Sequence, residues 1–158
     1  MMTKMYPLPD EFQSDFKTEW QSFLAAADSA EVRFADVSDL LSSAERVFPF
    51  SNFVASACIR SPGLLADLIE SGHLCQSYRE DSYALRLKDL LADTEEQKTL
   101  ERRLRRFRLR EMIRIAWRDL SGWADLFETV ADLSNLAEAC IESALDFLYR
   151  WQCETHGI

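Results

Sequence analysis

Glycine and proline are nearly missing from this chain of 158 residues, which has four of each. So few breakers exclude a fold built on many tight turns and leave room for long uninterrupted elements. Valine and threonine are also scarce, whereas Leu, Ala, Glu and Arg abound, a bias towards helix over sheet. No apolar run approaches the roughly 18 residues that a membrane-spanning helix needs. The opening MMTKMYPLPDEF lacks the apolar core of a secretion signal. The four cysteines, Cys58, Cys75, Cys140 and Cys153, are far apart. A chain of this length can bury roughly 70% of its unfolded surface as one domain. Reduced thiols in a cytoplasmic protein are therefore expected rather than a disulfide framework.

Catalytic patterns are lacking as well. Gly63, Gly72, Gly122 and Gly157 stand alone, so there is no GxGxxG, no P-loop and no Gly-Gly turn, and no Asp-x-Asp pair occurs. His73 follows the end of an expected helix, and Cys153-Glu154-Thr155-His156 is a single C-x-x-H with no second half-site. Both histidines are expected to be exposed helix-terminal residues. These patterns offer no catalytic, cofactor-binding or metal-binding residue.

What is present reads as helix almost throughout, an all-α bundle of about seven to eight helices. Asp10, after Pro7 and Pro9, is a plausible cap for a helix reaching about Ala27, with Phe12, Phe16, Trp20, Phe23 and Leu24 inward. A second helix runs from Asp36 or Ser38 to Val47 and stops before Pro49. Ser51 caps a third, and Ser61-Pro62 starts a fourth that Gly72 closes. Asp81 starts a fifth with Leu85, Leu87, Leu90 and Leu91. After Gly122 a helix to about Val130 leads into the last one. There Leu133, Leu136, Ala137, Cys140, Ile141, Ala144, Leu145, Leu148 and Tyr149 form a wide apolar stripe expected to face the core. Phe147 and Trp151 add apolar surface beside it, and part of Phe147, Leu148, Trp151 or their neighbours is expected to be exposed. The chain reads as a single helical segment over 1–158, with N-terminal helices in 1–93 and an Arg-rich helix plus long C-terminal helices in 94–158.

Charge is concentrated in one place. Lys98 to Arg118 holds one Lys and eight Arg against Glu101 and Glu111, a local +7 in a chain of net charge −9. Thr94-Glu95-Glu96-Gln97 reads as a capping box that opens this helix. Leu109, Met112, Ile113, Ala116 and Leu120 form one apolar face. Arg103, Arg106, Arg110 and Arg114 fall within about 80° of one another at 100° per residue, with Trp117 beside them. This is the candidate ion-pair or partner-contact face. Three readings compete for it: an ion-paired helix face, a nucleic-acid grip, and a site for an anionic ligand or partner. The acidic chain and the lack of a nucleic-acid motif argue against nucleic acid. The acids Glu128, Asp132, Glu138 and Glu142 are available to pair with it, and Arg106 and Arg110 in particular are expected in intramolecular ion pairs.

Two blocks carry a family resemblance. SNFVASACIRSPGLLADLIESG (51–72) and RLRRFRLREMIRIAWRDLSGWADLFETVADLSNLAEACIESALDFLY (103–149) contain Ser51, Phe53 and Val54, then Pro62, Leu64 and Leu65. The second block holds Leu104, Arg105, Arg106, Phe107 and Arg108, then Glu111, Met112, Arg114, Ile115, Arg118, Asp119 and Leu120, and finally Leu136, Ala137, Ala139 and Cys140. Together they resemble the N-terminal region of the bifunctional glutamine synthetase adenylyltransferase/adenylyl-removing enzymes. The resemblance spans about 51–157.

That family places a nucleotidyltransferase fold, with a Gly-Gly turn and a Mg²⁺-holding Asp-x-Asp pair, shortly after the segment matching Glu154-Thr155-His156-Gly157. The chain therefore looks like a truncated piece ending before the chemistry, in the adenylyl-removing half. The resemblance implies a parent that uses Mg²⁺ and ATP, or phosphate, acts on glutamine synthetase, and answers to a PII signal protein. The piece itself is expected to be an inactive scaffold, without nucleic-acid or membrane partners, that self-associates through its C-terminal helix. The alternative is a free-standing helical adaptor that binds an acidic protein through the Arg-rich helix.

Overall fold

A computed structural model describes residues 10–34 and 37–157. Among them are seven α-helices and no strand. In chain order they are α1 (Asp10–Ser29), α2 (Val37–Val47), α3 (Asn52–Arg60), α4 (Pro62–Glu70), α5 (Ser82–Leu91), α6 (Gln97–Leu120) and α7 (Leu126–His156), with a 3-10 turn at Phe48–Phe50 between α2 and α3. No described helix is long and apolar enough to cross a membrane.

Local chemistry fixes most of the boundaries. Pro49 ends α2 in the 3-10 turn. The Ser51 hydroxyl accepts from the Val54 amide at 3.3 Å and caps α3. Pro62 occupies the start of α4, where its missing amide costs nothing. Gly72, at φ +72°, lets the chain leave α4 in the left-handed region, and the Leu74 amide turns back to the Leu68 carbonyl. Gly122, at φ +71°, does the same after α6. Asp125 then accepts from the Glu128 amide at 2.8 Å and caps α7.

The two longest helices depart from expectation. The capping box at Thr94 does not form: α6 begins at Gln97, and the Thr94 hydroxyl accepts instead from Arg103 at 2.9 Å. The separate helix expected up to Val130 is the first turn and a half of α7, because Asp125 supplies the cap and nothing interrupts the chain around Ala131. Phe12 and Asp36 lie outside the described side chains, so their expected roles do too.

Helix α6 lies between two packed clusters. On one side, α1, α2, α3 and α4 meet it around Phe48, whose ring stands 6.0–6.3 Å from those of Phe16, Trp20, Phe23 and Trp117. The α6 residues facing this cluster are Leu109, Ile113, Ala116, Trp117 and Leu120. On the other side, α5 and α7 contribute Tyr83, Leu87, Leu136 and Ala139, and α6 answers with Leu104, Phe107 and Ile115.

Helix α7 turns an unexpected side inward. Its buried row is Asp132, Leu136, Ala139 and Phe147, with Ser143 half-buried between them. Phe147 is thus buried, and the exposure expected of this flank falls on Leu148 and Trp151. Leu133, Ala137, Ile141, Leu145, Leu148 and Tyr149 of the expected core stripe face outward, as do Leu126, Val130 and Trp151. Only Leu136 of that stripe is fully buried, with Cys140 and Ala144 at its margin.

Candidate functional site

Five arginines at positions 103, 106, 110, 114 and 118 descend one side of α6, along the seam between the two clusters. On a helical wheel the two apolar faces lie roughly opposite each other, with these side chains in the arc between. A long cationic side chain at such a junction can span from one half-core to the other, its stem packed and its head bonded.

Arg114 does this most completely. Its side chain has no solvent exposure, and it donates to the Asp132 carboxylate of α7 at 2.8 Å and to the Tyr83 hydroxyl of α5 at 3.2 Å. It also donates to the backbone carbonyls of His73 at 3.0 Å and Gln76 at 2.6 Å, in the loop after α4. Its guanidinium lies over the Tyr78 ring, 3.4 Å from the centroid. One turn on, Arg118 donates to Glu128 at 2.7 and 3.1 Å and reaches the Leu74 and Trp123 carbonyls. These two residues tie the 72–81 loop, α5 and α7 to the central helix.

Arg110 pairs with Asp67 of α4 and with its neighbour Glu111, and donates to the Ser71 hydroxyl. Glu111 is fully buried, and burial pushes its carboxyl above the ordinary range against the pull of Arg110. Arg103 pairs with Asp93 and donates to the Leu90 carbonyl at 2.7 Å and to Thr94, holding the α5–α6 loop. Arg106, expected in an intramolecular ion pair, is exposed and forms none among the described residues. Of the four acids expected to receive the face, Asp132 and Glu128 do so; Glu138 and Glu142 form no ion pair in the described structure.

Residues outside the expected face complete the arrangement. His73, expected to be exposed, is half-buried between Arg86 and Arg110. Desolvation and these two cations lower its pKa to about 4, so the ring is neutral near pH 7. Arg86 also lies over the Tyr78 ring at 4.7 Å. The expected face leaves out Arg118, although the i+4 step from Arg114 reaches it; no sequence signal joins His73, Tyr78 and Arg86 to it. Among the described residues, no group of three or more His, Cys, Asp or Glu is arranged to hold a metal ion. The arrangement gathers positive charge and ties helices together, and it presents no nucleophile paired with a base.

Comparison with known proteins follows the same residues. The family model described as glutamate-ammonia ligase adenylyltransferase matches residues 41–158. The chain is 40% identical over 153 residues to a protein of Nitrosococcus oceani, covering 97% of this chain and 16% of that one. It is 39% identical over 142 residues to one of Pseudomonas aeruginosa (89% and 14%) and 35% identical over 155 residues to one of Shewanella loihica (95% and 15%). All three are named bifunctional glutamine synthetase adenylyltransferase/adenylyl-removing enzyme. The chain spans about a sixth of the length of these curated relatives.

Proposed function

Since this chain belongs to the glutamate-ammonia ligase adenylyltransferase family, we propose that it is a non-catalytic helical scaffold of an enzyme that adenylylates and de-adenylylates glutamine synthetase. The segment is assigned to the adenylyl-removing half, ahead of a nucleotidyltransferase fold whose carboxylates hold Mg²⁺. In the parent, an AMP group passes from ATP to a tyrosine of glutamine synthetase and diphosphate leaves. In the removal reaction, a separate phosphorolysis, phosphate attacks the AMP phosphorus, releasing ADP and the free tyrosine. A PII signal protein regulates this balance in the cytoplasm.

The observation that carries the scaffold reading is the commitment of Arg110, Arg114 and Arg118 to joints between helices. Side chains held in this way position elements and are not free to act on a substrate. The outward row of α7, Leu126, Val130, Leu133, Ala137, Ile141, Leu145 and Leu148, supports a second part of the reading. A contiguous apolar face of this kind typically marks an interface. It is assigned to packing against the nucleotidyltransferase fold of the parent, and the chain by itself self-associates through it. The scaffold reading is tested by mixing the 158-residue chain with adenylylated glutamine synthetase, phosphate and Mg²⁺. ADP should stay at the level of the blank; ADP release above it refutes the reading.

A further inference from the structure

A cleft of about 340 Å³ opens between α4, α5 and α6, within the range of small-molecule sites. Four guanidinium groups line it, from Arg86, Arg103, Arg106 and Arg110, against two carboxylates, Asp67 and Glu111. Both carboxylates pair with Arg110. Arg103 pairs with Asp93 at the margin. Among the described residues, neither Arg86 nor Arg106 forms an ion pair with a carboxylate, although the chain as a whole carries nine more negative than positive charges.

The donors in this cleft outnumber the acceptors. Arg86 directs one terminal nitrogen at His73 Nδ1 (3.1 Å) and the other at Nε2 (2.6 Å), while Arg110 directs a third at Nδ1 (2.9 Å). A neutral imidazole has one acceptor nitrogen and carries hydrogen on the other. At least one guanidinium N–H therefore faces another N–H. The lowered pKa of His73 reports the same surplus of positive charge, after desolvation. Leu64, Leu90 and Phe107 supply apolar wall between the cations.

We propose that this cleft binds a small organic dianion, a phosphate ester or a dicarboxylate, gripped by Arg86 and Arg106 with its carbon skeleton against Leu90 and Phe107. Guanidinium forks match both oxyanions, and a ligand with two charges answers two unpaired arginines. The anion supplies the acceptors that His73 cannot.

The test is calorimetric titration of the 158-residue chain with sodium phosphate and, separately, sodium succinate, with ionic strength held constant by sodium chloride. At least one of them should bind saturably at one site per chain. Arg106→Ala removes an exposed, unpaired side chain, so it should leave the melting temperature unchanged and weaken binding by about tenfold or more. Arg105→Ala makes the same charge change outside the cleft and should leave affinity unchanged. A response to phosphate alone, to succinate alone or to both identifies which oxyanion the cleft takes. Saturable binding of neither, binding that Arg106→Ala leaves intact, or an equal loss in Arg105→Ala overturns the proposal.

Discussion

Replacing Arg114 with alanine removes the joint that most of the C-terminal half depends on. Asp132 would be left at a site with 6% side-chain exposure without the one ion-pair partner it has among the described residues. Removing one member of a buried pair costs about 3–5 kcal/mol, because the remaining charge is left desolvated. The whole stability of a domain is roughly 5–15 kcal/mol, so this is a large fraction of it. Neutralising both partners separates the ion pair from the other bonds. In Arg114→Met with Asp132→Leu the charges go together, and on electrostatic grounds alone the change is often neutral. Here the carbonyls of His73 and Gln76 also lose their donor. Each such loss in a half-buried site costs about 1 kcal/mol, so the double variant should stay about 1–3 kcal/mol below the parent chain. Urea unfolding followed by tryptophan fluorescence measures the parent chain and both variants, with buried Trp117 on the same helix as reporter. The exposed Arg105–Glu101 pair is the control, and Arg105→Ala should change stability by less than about 0.5 kcal/mol. A cost below about 1 kcal/mol for Arg114→Ala refutes the buried joint. A double variant as stable as the parent chain refutes the contribution of the loop carbonyls. If Arg114→Ala does not fold, Asp132→Asn reads the same pair, with an expected loss of about 1–3 kcal/mol.

His73 gives the chain a pH dependence of known sign. Its folded pKa, near 4, lies below the ordinary 6.5, so its contribution is complete above about pH 6.5 and is lost as pH falls towards 4; His73→Gln should flatten urea midpoints across that window, and an unchanged slope refutes the assignment. Cys58 is fully buried and its thiol is pushed up to about 12, so iodoacetamide at pH 8 should label exposed Cys75 in the native chain and reach Cys58 only after denaturation, as read by peptide mass spectrometry. On α7, Trp151→Ser and Leu145→Ser should reduce self-association in sedimentation velocity with a loss of under about 1 kcal/mol; a sedimentation coefficient unchanged from the parent chain and already monomeric counts against the interface.

Helix starts and stops were largely legible where a single residue decides them. Ser51, Pro62 and Gly72 act through their own backbone or side-chain chemistry, and each stands where the sequence puts it. Thr94 misled because its hydroxyl had two candidate donors: the helix amide three residues on, and a guanidinium that arrives from Arg103 only once the chain has folded. A local motif loses to a charged tertiary donor of this kind. His73 misled for the same reason. Its neighbours in space, Arg86 and Arg110, are distant in sequence, and they rather than the helix end decide its exposure and protonation.

The orientation of α7 was not legible, for a physical reason that also explains the arginine seam. Its inward row, Asp132, Leu136, Ala139, Ser143 and Phe147, is spaced 4, 3, 4 and 4, and it includes two polar residues. The outward row from Leu126 to Leu148 is apolar at every step. Periodicity measures where apolar residues lie, so it selected the outward row. What turns α7 is the partner helix. Asp132 and Glu128 follow Arg114 and Arg118, whose buried guanidiniums require carboxylates within hydrogen-bonding reach. On α6 the same limitation hid the second apolar face. Leu100, Leu104, Phe107 and Ile115 were overlooked beside the arginines, although at 100° per residue they fall within about 80° of one another. With two apolar faces on α6, the arginine stripe between them cannot be a solvated surface along its whole length. It is buried where α7 closes over Arg114 and Arg118, half-buried at Arg103 and Arg110, and exposed at Arg106, which pairs with no described carboxylate.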